Sequence, residues 1–164
     1  MKIFFSHGKE SGPKAQKICA MQALSQKYGV ESESIDYRGI ELPSERVAKL
    51  LSAVTTSKEP CLLVGSSMGA YVSIAASQNL EVEGLFLLAP AVFMPGYEQL
   101  NYASACQKIH VIHGWQDEVV PVDNAIRFGR QNSASLHLVK DGHRLSGSIE
   151  LIEREFEQFL RFFL

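Results

Sequence analysis

The sequence predicts an α/β fold, a three-layer α/β/α sandwich built on a parallel sheet of about six strands. Three observations carry this. Short apolar runs alternate with longer amphipathic ones along the chain, the pattern of strands joined by helices that cover both faces of the sheet. One amphipathic run has Pro13 near its start and Gly29 just past its end, the asymmetry expected of a helix. The apolar run Leu62-Leu63-Val64 breaks into Gly65-Ser66-Ser67-Met68-Gly69, a G-x-S-x-G turn that leads at once into small, helix-compatible residues.

The elements follow in order. Residues 2–6 form a first strand that turns polar at Ser6-His7, so the N-terminal apolar run is too short for a signal-peptide core or a membrane span. A helix over residues 12–28 leads to a strand at 31–36, and further strands fall at 61–65, 84–88, 109–113 and 135–139, with helices between them. Asp123 reads as the cap of a helix over 124–131. The last helix, 148–163, places Ile149, Ile152, Phe156, Phe159 and Leu160 on one face.

At 164 residues the chain is expected to form one domain, 1–164, large enough to bury a substantial core. A net charge of −2 with mixed signs offers no basic patch for nucleic acid and no lysine cluster for stable association with anionic membrane. The three cysteines, Cys19, Cys61 and Cys106, have neither paired nor metal-like spacing, which suits a reducing cytoplasm. Cys19 and Cys61 read as small buried hydrophobes and Cys106 as a loop residue. The apolar tail from Phe159 to Leu164, with Phe162 and Phe163, offers a contact surface for a homodimer.

The chemistry begins at Ser67. A serine pushed out at a sharp strand-to-helix turn needs flanking residues without side chains, and Gly65 and Gly69 supply them. Ser66 lacks that flanking pair and reads as a turn residue. Because Ser67 opens a helix, the Met68 N–H points the same way as the hydroxyl and can donate to an oxyanion. The loop after the fifth strand, His113-Gly114-Trp115-Gln116-Asp117, places an acid, and the turn Lys140-Asp141-Gly142-His143 delivers a base. Asp117 leads Asp123 and Asp141 as the orienting carboxylate, because Asp123 reads as a cap and Asp141 shares the turn of His143. Among the five histidines, His110 and His137 lie within strands and His7 and His113 shape strand-end turns, leaving His143 as the general base. Trp115 either lines a pocket or packs beside the strand end. Serine, then aspartate, then histidine is the chain order of one hydrolase class.

With these residues in place, the chain resembles the α/β-hydrolase superfamily over essentially its whole length, in particular its small lidless serine esterases and thioesterases. The matching pieces are Phe4-Phe5-Ser6-His7-Gly8, Ile35-Asp36-Tyr37-Arg38-Gly39, Val64-Gly65-Ser66-Ser67-Met68-Gly69, His113-Gly114-Trp115-Gln116-Asp117 and Asp141-Gly142-His143. The segment from His7 to Ala15 is similar to that of acyl-thioesterases and acyl-glucuronide esterases. The resemblance implies a core lacking the first two strands, with strand order 2-1-3-4-5-6. It also implies a second oxyanion donor from the loop after the first strand, the Lys9 N–H, and a loop-bracing role for Arg38. Where larger members insert a helical lid, this chain has only residues 89–107, apolar through Pro90, Phe93, Met94, Pro95 and Tyr97. Phe93 and Met94 are therefore expected to wall an open site.

The resulting expectation is hydrolysis of short- to medium-chain carboxylic esters or thioesters through an acyl-enzyme, with a small-molecule substrate and neither metal nor organic cofactor. Two alternatives share the same scaffold: a peptidase or amidase using the same three residues, and a binding protein without catalysis.

Overall fold

A computed structural model describes residues 1–98, 101–106 and 108–164. Among these, six parallel strands form one sheet in the order β2-β1-β3-β4-β5-β6: β1 (Lys2–Ser6), β2 (Glu31–Ile35), β3 (Cys61–Ser66), β4 (Gly84–Leu88), β5 (Ile109–Gly114) and β6 (Ser135–Val139). Five helices connect or follow them: α1 (Gln16–Lys27), α2 (Pro43–Ser57), α3 (Met68–Ser77), α4 (Val122–Asn132) and α5 (Ile149–Arg161). The order is the one the resemblance implies.

Side-chain alternation along the central strands separates two cores. Phe4, Leu63, Leu85, Leu87 and Val111 face α2, α3 and α4, where they meet Leu50, Val54, Ile74 and Phe128. Ile3, Phe5, Leu62, Val64, Phe86 and Ile112 face α1 and α5, where they meet Ile18, Met21, Ile152, Phe156 and Leu160. Helices thus cover both faces, completing three layers.

Several boundaries differ from the sequence expectation for local reasons. The first helix begins at Gln16, not at residue 12, because residues 12–15 form a turn closed by Ala15 N–H on the Gly12 carbonyl at 3.1 Å. The Pro13 carbonyl is meanwhile taken by Ser34 Oγ at 2.8 Å. The fourth helix begins at Val122, after Pro121, so Asp123 lies in its first turn and is not its cap. There its carboxylate faces the positive end of the helix. Ser66 is the last residue of β3, paired with Leu88. The last helix spans Ile149–Arg161, shorter at both ends than expected.

Cys61 is buried, but Cys19 is exposed, against expectation. The buried stripe of α1 runs through Ile18, Met21 and Ser25, and Cys19 lies one residue off it. In the C-terminal tail Phe159 belongs to the core while Phe162 and Leu164 are exposed. No helix among the described residues is long and apolar enough to cross a membrane.

Candidate functional site

The strand order reverses between β1 and β3, and the C-terminal ends of these two strands lie side by side, with Ser6 opposite Gly65. Open α/β sheets bind ligands in the crevice at such a point. Ser67 sits there between β3 and α3, with φ +55° and ψ −117°. A side chain at either flanking glycine would collide with backbone. A Cβ at Gly69 would lie 2.0 Å from the Ser6 carbonyl oxygen, and one at Gly65 would lie 2.4 Å from the Gly69 carbonyl oxygen. The two glycines thus let β1, β3 and α3 close around the turn and hold Ser67 in its unusual backbone conformation.

Ser67 Oγ lies 2.9 Å from His143 Nε2, and His143 Nδ1 lies 2.7 Å from Asp117 Oδ2. The structure therefore brings the three residues singled out in the sequence into one continuous hydrogen-bonded line. Asp117 offers a carboxylate with no side-chain exposure, whereas the His143 ring is 21% exposed at the crevice. Four N–H groups surround that carboxylate. Val119 N and Val120 N donate to Oδ1 at 2.8 Å each, and His113 Nε2 lies 3.2 Å from Oδ2 beside His143. Such a donor set compensates an ionised carboxylate removed from water.

The loop that carries His143 is itself fixed. Asp141 Oδ1 accepts from Gly142 N at 2.7 Å, and Oδ2 accepts from Gly147 N at 3.0 Å and Ser148 Oγ at 2.7 Å. Asp141 thus closes the turn and does not take the place of Asp117. Lys17 on α1 donates to the Arg144 carbonyl at 2.6 Å, and burial holds its ammonium below the usual lysine range. At Gly114 a Cβ would lie 2.2 Å from the Asp141 carbonyl oxygen, so only glycine lets the end of β5 approach this loop.

Met68 is the first residue of α3, so its N–H belongs to the helix-terminal donors without an intrahelical acceptor. The Gly8-Lys9 segment passes beside Ser67: a Cβ at Gly8 would lie 3.5 Å from Ser67 Cβ and from the Ser66 carbonyl oxygen. The Lys9 side chain points to Glu41, at 3.8 Å. Trp115 and Val119 are exposed large hydrophobics in the loop that holds Asp117. Phe93 packs on Tyr102, with the Arg127 guanidinium 3.8 Å from its ring centre, and Met94 Sδ accepts from Asn124 Nδ2 at 3.7 Å. Phe93 and Met94 are therefore held against α4. Arg38 grips Asp36 in a bidentate pair at the surface, consistent with a bracing role.

Two residues near the site carry more than the sequence suggested. His113 reaches Asp117 through the ring as well as shaping its turn. Arg46 on α2 is buried and hydrogen-bonds to the Gly8 and His7 carbonyls. Its signal in the sequence is positional: Arg46 falls on the same helical stripe as Leu50 and Val54.

Away from this crevice, His110, His137 and Glu155 place potential metal-ligand atoms within 4.8 Å of one another. The two imidazoles, however, stack 4.6 Å apart with their planes only 20° from parallel. A metal must lie close to the plane of each ring it binds, within about 2.1 Å of nitrogen. Two stacked planes do not meet at that distance, so the rings as they stand do not form a shared metal centre.

The model of the uncharacterised protein family UPF0227 matches residues 2–101, which include Gly8, Lys9, Ser67 and Met68. No curated protein matches the sequence. Among solved structures, a protein of the α/β-hydrolase superfamily from Xanthomonas campestris pv. campestris is similar over 98% of both chains, with 30% identity and a TM-score of 0.89. Alpha/beta hydrolase domain-containing protein 10 from mouse has 18% identity and a TM-score of 0.84, covering 99% of this chain and 90% of its own. Est1E from Butyrivibrio proteoclasticus has 17% identity and a TM-score of 0.83, covering 98% of this chain and 86% of its own. These last two share the fold. Matched by its family model and by a relative along nearly its whole length, the chain belongs to family UPF0227 of the α/β-hydrolase superfamily.

Proposed function

We propose that the protein is a serine hydrolase that cleaves short- to medium-chain carboxylic esters or thioesters through an acyl-enzyme. The observation that carries this reading is the unbroken line from Ser67 Oγ through the His143 ring to the buried Asp117 carboxylate. Ser67 Oγ attacks the acyl carbonyl while His143 Nε2 takes its proton, and Asp117 holds the ring with Nδ1–H pointed away from the serine. The Met68 and Lys9 N–H groups receive the oxyanion of the tetrahedral intermediate. His143 then returns the proton to the departing alcohol or thiol. In the second half, water gives a proton to His143 as it attacks the acyl carbon, and Ser67 leaves with that proton restored. Trp115, exposed beside the Asp117 loop, is the candidate contact for the acyl chain. Est1E, which shares the fold, is seen with ferulic acid bound, a carboxylic acid of the kind that ester hydrolysis releases.

The test is intact-mass labelling with a fluorophosphonate. A single adduct on the wild type, absent from Ser67→Ala and His143→Ala, is the expected result and leads to a panel of matched esters, thioesters and amides. A folded wild-type protein that takes no label would count against catalysis altogether. Faster turnover of amides than of matched esters would favour the peptidase alternative.

A further inference from the structure

Arg46 is 2% exposed, and its hydrogen bonds among the described residues go to carbonyl oxygens. Nε donates to the Ile40 carbonyl at 2.8 Å, and Nη1 points to the Gly8 carbonyl at 3.3 Å and the His7 carbonyl at 3.5 Å. The Tyr37 ring lies 5.4 Å from the guanidinium carbon. Burying a guanidinium against carbonyls is costly when, as among the described residues here, no carboxylate is in ion-pair contact and Glu41 acts only from a distance, so a position that keeps one calls for a role beyond packing.

His7 converges on the same carbonyl. Its Nε2 lies 2.9 Å from the Tyr37 backbone N–H, which can only donate, so Nε2 is the acceptor and the ring proton sits on Nδ1. Nδ1–H therefore donates to the Gly8 carbonyl at 2.7 Å. Ser11 Oγ adds a long third bond at 3.5 Å. A trans peptide is planar, with its C=O and N–H pointing in opposite directions. Holding the Gly8 oxygen towards Arg46 and His7 thus sets the opposite direction for the Lys9 N–H, on a peptide that borders Ser67.

We infer that Arg46 and His7 are positioning residues that, by gripping the Gly8 carbonyl, aim the Lys9 N–H at the oxyanion formed during attack by Ser67. This rests on the serine-hydrolase reading above. Loss of one oxyanion donor outright typically lowers the rate by about 100- to 1000-fold, and a misaimed donor should cost less.

The two ring nitrogens of His7 can be tested separately. In His7→Asn the side-chain amide nitrogen takes the place of Nδ1 and keeps the bond to Gly8. In His7→Gln the terminal oxygen takes the place of Nε2 and keeps the bond from Tyr37. With p-nitrophenyl butyrate, His7→Asn should retain kcat within about threefold, while His7→Gln and Arg46→Met should lose about 10- to 100-fold in kcat with KM nearly unchanged. The same two variants should bind a boronic acid, which forms a tetrahedral adduct on the serine, more weakly by a similar factor. If Arg46→Met does not fold, the His7 pair decides.

Equal kcat in folded His7→Asn and His7→Gln would overturn the inference, as would wild-type kcat in Arg46→Met, while fluorophosphonate labelling of the wild type left the hydrolase reading intact. A wild type that neither labels nor turns over ester would overturn both.

Discussion

His113 Nε2 lies 3.2 Å from Asp117 Oδ2, the same oxygen that meets His143 Nδ1 at 2.7 Å. The His113 ring is fully buried, and burial pushes its pKa below the ordinary imidazole value. Its Nε2 also faces the Val120 carbonyl at 3.0 Å, so Nε2 carries the proton and shares it between two acceptors. Asp117→Asn should therefore lower kcat by about 10,000-fold, because an amide cannot keep the His143 tautomer in place. His113→Phe removes one of four donors and should lower kcat by only about tenfold. It should also destabilise the protein by about 1–3 kcal/mol through the buried Val120 carbonyl left unpaired. Steady-state kinetics and urea unfolding of the two variants check the order.

Glycine positions separate collision from backbone strain. At Gly69 a Cβ would lie 2.0 Å from the Ser6 carbonyl oxygen, whereas at Gly29, with φ +69°, it would meet nothing within 4 Å. Gly29→Ala should cost about 1–2 kcal/mol, the penalty of a left-handed conformation alone. Gly69→Ala should cost about 3 kcal/mol or more and abolish activity, since β1 and α3 must separate and shift the turn that carries Ser67. Thermal unfolding together with ester turnover distinguishes the two.

Ser67 holds φ +55°, a region that a side chain makes unfavourable. Ser67→Ala and Ser67→Gly both remove the hydroxyl and its bond to His143, so their difference isolates the strain. Ser67→Gly should be more stable than Ser67→Ala by about 1 kcal/mol, after the glycine's greater freedom in the unfolded chain is subtracted. For a domain of this size that is a Tm difference of about 2–4 °C. Equal midpoints would show that the turn carries no side-chain penalty.

The same contrast explains what could be read from the residues in order. Ser67, Asp117 and His143 were legible as a group because each sits in a local turn at a strand end, while the strand order is what the resemblance implies. Arg46 and Glu155 were not, because each is a charged residue on an otherwise apolar helical stripe. Arg46 shares its stripe with Leu50 and Val54, and Glu155 lies between Ile152 and Phe156 on the buried face of α5. Periodicity assigns them a face but not a partner, which comes from the loop after β1 in one case and from β5 and β6 in the other. Cys19 fails in the opposite sense, an apolar-looking residue one step off the stripe. α1 starts later than its sequence pattern predicts because Pro13 lies in a turn and its carbonyl accepts from Ser34 of the neighbouring strand.

Glu155 lies beside a buried histidine, His110, that makes stability depend on pH. Its Oε2 lies 3.8 Å from His110 Nε2 and 3.6 Å from His137 Nε2, and Arg154 reaches its other oxygen at 3.3 Å. Among the described residues His110 Nε2 is buried without a hydrogen-bond partner, and the ring stacks between Phe86 and His137. Burial, reinforced by His137 and Lys108 and opposed by Glu155, lowers the His110 pKa to about 4. Since the unfolded chain titrates near the ordinary value of about 6.5, it binds the proton first as the pH falls. His110 thus leaves stability intact above about pH 6.5 and removes it progressively down to about pH 4, by on the order of 3 kcal/mol. His110→Phe keeps the stack and deletes the titration. Urea unfolding at intervals from pH 7 to pH 4 should show the variant gaining on the wild type by that amount as the pH falls, and parallel curves would exclude His110 as the source.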